Sequence, residues 1–223
     1  EIGWVRMLNL ALGTTVHSFE IMLASFIAGL AFGGLWIRRR IDQLERPLRA
    51  AGFAQILMGL AVIVSLAFYN SIFEWVASLY ASLTRTGEAY TLYNFGTAAI
   101  AVVIMMPAAF FAGMTLPLFT LALLRGGQGE AAIGRIYASN TLGAIAGVFI
   151  AVHILIPLLG LKLAMTLAAT ADLLLGLALL RIYFRWPYRF DYPVAIAATA
   201  LAIFSALVLV RFDYTQITSG VFR

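Results

Sequence analysis

Long apolar runs separated by short polar stretches dominate this chain, in place of the strict apolar–polar alternation of half-buried strands. The runs are roughly 20 residues long, the length an α-helix needs to cross a hydrocarbon core of about 30 Å. Strands of an outer-membrane barrel would instead alternate over about ten residues. The pattern predicts spans over 17–37, 50–69, 96–124, 136–159, 161–184 and 194–211. Residues 1–13, EIGWVRMLNLALG, are too few to cross and set Trp4 and Arg6 among apolar positions, which reads as the last turns of a truncated helix or an interfacial segment. Residues 70–95 are too polar to cross. Ile72, Val76, Leu79 and Leu83 nevertheless recur there at helical spacing beside Phe73, Trp75 and Tyr80, which predicts an amphipathic helix at the outer interface. The expected fold is all-α: a polytopic transmembrane helix bundle of about six complete spans, a truncated N-terminal helix and one interfacial helix. Residues 1–211 read as a single transmembrane helical domain, and 212–223 as the start of a soluble domain or tail.

Within the runs, small residues mark where helices can approach. Ala28, Gly29, Gly33 and Gly34 lie in the first span, and Gly143 and Gly147 form a small-xxx-small face in the fourth, beside Asn140, whose amide can hydrogen-bond across helices. Gly29, Gly33, Gly143, Gly147 and Asn140 are therefore expected to pack against other helices. Pro107 and Pro117 flank Gly113 in PAAFFAGMTLP; each removes a backbone hydrogen bond, so a kinked or broken helix is expected there. Such breaks line cavities in transporters but also occur in bundles that transport nothing. Pro157 and Gly160 mark a turn between the fourth and fifth spans.

Composition agrees with the pattern. The chain is 63% hydrophobic and 11% charged, with a mean hydropathy of +0.96, against about 45–50% apolar residues in soluble domains. The net charge of +5 does not point to nucleic acid, because the arginines sit in short loops between spans. Ten of the fifteen Lys and Arg fall in 38–49, 125–135 and 181–193, which places those loops on the cytoplasmic side. With no cysteine and two histidines, disulfides and thiolate chemistry are excluded, and no metal or other cofactor is expected.

Few residues could carry chemistry. Asp172 falls near the middle of the fifth span, where a carboxylate costs about 2.5–3.5 kcal/mol on insertion scales. It lies roughly 18 Å along the helix from Gly160, whereas His153 on the preceding span lies only about 10 Å from that turn. Ser25, Thr199 or a neighbouring subunit are then better partners than His153. Asp172 reads either as a protonated structural group or as part of a proton or cation relay. His17 and Glu20, one turn apart, suit an ion pair or anchor at the outer interface, or else a binding site. His153 reads as a helix–helix hydrogen-bonding group. No catalytic constellation, phosphate loop or zinc signature is present, so the expected site residues are intramembrane polar groups and packing positions, not catalysts.

Four segments in order carry a resemblance. GRIYASNTLGAIAG (134–147), EIGWVR, FIAGLAFGG and FAGMTLP together resemble the membrane domain of bacterial integral-membrane spermidine synthase-like proteins, over nearly the whole chain. In that family the membrane domain is often fused to an aminopropyltransferase-like domain, and SGVFR is similar to the way such a domain begins. The resemblance implies a multi-pass protein of the bacterial cytoplasmic (inner) membrane. Its partners would be the bilayer and other subunits of a membrane complex, and its role that of a non-catalytic anchor, scaffold or accessory subunit. Two alternatives stay open: a transporter-like bundle moving a small cation such as a polyamine, and the membrane part of an aminopropyltransferase whose catalytic domain lies outside these residues. GGLWIRRRID is similar to the cytoplasmic loop of facilitator transporters, but their full glycine–aspartate–arginine–glycine signature is missing.

Overall fold

A computed structural model of the protein describes residues 1–82, 87–182 and 191–210. The helical reading holds throughout those residues. They form α1 (Ile2–Leu12), α2 (Val16–Arg38), α3 (Pro47–Ala67), α4 (Tyr69–Ser82), α5 (Gly87–Arg125), α6 (Ala131–Ile150), α7 (Ile156–Arg181) and α8 (Asp191–Phe204), with no strand among them. Five helical stretches are long and apolar enough to cross a membrane; Ala131–Arg181 is counted as one of them. The expected loop 181–193 lies outside the described residues over 183–190, as do the expected tail 212–223 and residues 83–86.

Local chemistry sets the helix boundaries. Gly13, at φ 86°, lets the chain leave α1. Two residues later the Thr15 hydroxyl accepts from the Ser18 backbone N–H at 3.1 Å and caps α2. Pro47 occupies the first turn of α3, where its missing N–H costs nothing. Gly160 adopts φ 77°, ψ 169°, a conformation L side chains rarely take, and kinks the Ala131–Arg181 stretch. A five-residue π-helical turn, Ala151–Leu155, precedes that kink.

The core is built from two closely packed helix pairs, α2 against α5 and α3 against α7, joined through α3 and α5. Met7, Leu8, Met22, Leu66, Tyr69, Ile72, Met105 and Leu173 are fully buried in its main cluster. Three expectations change here. Residues 1–13 read as the end of a truncated helix or an interfacial segment, but α1 is packed into the core: it buries Trp4, Met7, Leu8, Ala11 and Leu12 there, and the Trp4 indole N–H donates to the Ser65 hydroxyl at 2.9 Å. The amphipathic helix ends at Ser82, not 95, because residues 87–95 begin the 39-residue α5. Finally, α5 runs unbroken through Pro107 and Pro117; a proline costs an interior helix about 3 kcal/mol, which the packing of α5 against α2 and α3 offsets.

Candidate functional site

Close approach in the core rests on glycine. On α2, a Cβ at Gly29 would lie 2.6 Å from the Ala109 Cβ, and one at Gly33 would run into the Phe110 carbonyl oxygen. Gly113 of α5 returns the contact against the Leu30 carbonyl. The α3–α7 pair repeats the device, with Gly52 and Gly59 set against Gly176, Ala169 and Leu173. Sequence reasoning missed Gly52, Gly59 and Gly176. The three positions were visible as small residues within apolar runs, but their spacings of seven and more did not stand out as a motif.

Gly143 and Gly147 require a correction. Among the described residues nothing lies within 4 Å of a Cβ at either position. Every residue from 137 to 150 is exposed, among them Leu142, Ile145 and Phe149. Ala132 is the one buried residue of α6, whose main contacts within the chain are with α5 and with the π-helical turn that follows it. The same four-residue spacing that joins α2 to α5 at Gly29 and Gly33 is thus left open here. Asn140 falls on this open face with the two glycines and is likewise exposed.

Asp172 is half-buried on α7, a helix that packs against α3 and also touches α1. Neither of the two partners expected within the chain bonds to it. Ser25 donates to the Ile21 carbonyl of its own helix at 2.8 Å, and the buried Thr199 hydroxyl has no hydrogen-bond partner among the described residues. His17 and Glu20 approach to 3.7 Å on the exposed first turn of α2. His153, in the π-helical turn, is exposed and packs on Phe149 at 4.8 Å between ring centroids, a contact along its own helical stretch and not the helix–helix hydrogen bond expected of it. The described residues hold no group of three or more His, Asp or Glu able to bind a metal.

Charged contacts bring the arginine-rich loops together. Arg49, at the start of α3, donates through Nε at 3.0 Å and also through Nη2 to Asp191 Oδ2, at the start of α8, and both side chains are 30% exposed. Arg125, at the end of α5, donates to the Leu44 carbonyl. Parts of 38–49, 125–135 and 181–193 therefore meet at one end of the bundle. No protein-family model, curated protein or solved structure matches the chain.

Proposed function

We propose that the chain is an integral membrane bundle without catalytic machinery of its own. It acts as the anchor or accessory part of a larger membrane assembly, in the bacterial cytoplasmic membrane, and offers α6 to the rest of that assembly. The observation that carries this reading is α6 itself. A helix with residues 137–150 all exposed and most of them apolar is untenable in water but ordinary against lipid or another helix. Lipid alone would suit Leu142 and Ile145. It would leave the Asn140 amide unsatisfied in hydrocarbon, which a facing helix relieves. The meeting of the three arginine-rich loops at one end supports a cytoplasmic face there. The sequence resemblance to spermidine synthase-like membrane domains supports the same role. Solvent and lipid accessibility at 143 and 147, in the isolated chain and in native membranes, tests it.

A second reading, a transporter-like bundle for a polyamine or similar cation, is favoured by one observation. Asp172 is a half-buried carboxylate within an apolar helix, with no hydrogen bond to the expected partners. Polyamine uptake into proteoliposomes that is unchanged by Asp172→Asn would remove that role.

A further inference from the structure

At the end of the bundle where the arginine-rich loops meet, a cavity of about 500 Å³ opens between α2, α3 and α5 beneath the loop 39–46. Its inner wall is apolar, built from Phe111, Met114 and Leu118 of α5 with Phe53 and Leu57 of α3. Met114 and Leu118 belong to a small buried cluster with Ile37, Ala51 and Ala54, so the cavity backs onto packed protein. Its mouth carries Arg40, Arg46 and Arg49 with one carboxylate, Glu45. Two of these guanidinium groups are set over aromatic rings, Arg40 over Trp36 at 4.2 Å and Arg49 over Phe53 at 5.2 Å from the centroid. Stacking fixes a planar donor fork while leaving its edge directed outward, the arrangement that suits phosphate.

We propose that this cavity binds an anionic phospholipid, with the phosphate at Arg40 and Arg46 and the upper acyl chain along Phe53, Phe111 and Met114. The inference rests on the reading of the chain as bilayer-spanning. Charge selects the ligand: three arginines and one carboxylate, Glu45, line the cavity, and the adjoining stretch 38–46 adds Arg38 and Arg39 against Asp42, which leaves this end cationic. A zwitterionic headgroup would bring its ammonium among these cations, whereas an anionic one brings none. The apolar wall distinguishes a lipid from free phosphate, which has no use for it. Basic pockets between helices at the cytoplasmic face are the usual seat of such headgroups.

The test uses Trp36, which lines the cavity and is 42% exposed, as the reporter. The chain is reconstituted in phosphatidylcholine with increasing acyl-brominated phosphatidylglycerol, and the quenching absent from a Trp36→Phe variant is assigned to this site. The expected selectivity for phosphatidylglycerol is on the order of 25-fold, falling about fivefold in Arg40→Gln and about fivefold in Arg46→Gln. Glu45→Gln, which removes the opposing charge, is expected to raise it. Selectivity within about twofold of unity by this charge argument, or selectivity unchanged by both arginine substitutions, overturns the proposal. Inorganic phosphate that reverses quenching as well as unbrominated phosphatidylglycerol does also overturns it, in favour of a free-phosphate site. Alkaline extraction of the same membranes separates the two claims: a chain released by it fails the bilayer reading, and a chain that stays but shows no selectivity fails only the lipid site.

Discussion

Replacing Gly33 by alanine adds one methyl group at the point where α2 and α5 touch. That methyl would overlap the Phe110 carbonyl oxygen and stand 2.8 Å from its carbonyl carbon, where ordinary contact begins at 3.4 Å. The obstacle is backbone within a helix, so it cannot rotate away, and clearing the Phe110 carbonyl oxygen requires α2 to move off α5 by about an ångström or more. A gap of 0.5–1 Å already forfeits roughly a quarter to a half of each dispersion contact along the interface. Overpacking of this kind costs about 1–3 kcal/mol, from which the helix preference of alanine over glycine recovers up to about 1 kcal/mol. Gly143→Ala is the internal control, with the same spacing and the same residue change but nothing within 4 Å. In the isolated chain it is expected to be neutral or to stabilise by up to about 1 kcal/mol. Reversible unfolding in mixed micelles, followed by tryptophan fluorescence, measures both. Equal effects of the two substitutions would refute the claim that one glycine pair is used within the chain and the other is not.

Two further outcomes are expected. Gly160→Ala should destabilise by about 1–3 kcal/mol through backbone strain alone, since φ 77°, ψ 169° is unfavourable for alanine while the space around it is open; a neutral result in the same unfolding assay would mean the kink relaxes without glycine. Asp172→Asn should abolish polyamine uptake in proteoliposomes if the bundle transports, and should leave unfolding nearly unchanged, because neither Ser25 nor Thr199 bonds the carboxylate.

The helical architecture is legible in the chain because run length and apolar continuity are local properties, and α2 and α3 fall close to the expected limits for the same reason. What was not legible depends on contacts between distant segments. The resistance of α5 to Pro107 and Pro117 comes from its neighbours, and the burial of α1 comes from a pocket formed partly by Ser65, 61 residues away. The two glycine pairs make the point most directly. Gly29–Gly33 and Gly143–Gly147 have the same spacing, which tells only that a helix can come close and not whether the chain supplies one. The Arg49–Asp191 pair was likewise hidden, because it joins two loops that the charge count placed on one side without pairing their members.

The central claim, that α6 is the helix this bundle gives to its assembly, is tested most directly by spin-label accessibility along α6. The chain has no cysteine of its own, so single cysteines at 142, 143, 145 and 147 report without background. In the purified chain in bilayers all four should be equally open to lipid-dissolved oxygen, as the uniform exposure of 137–150 requires. In native membranes 143 and 147 should become protected while 142 and 145 stay open. Full accessibility of 143 and 147 in both settings would contradict the account.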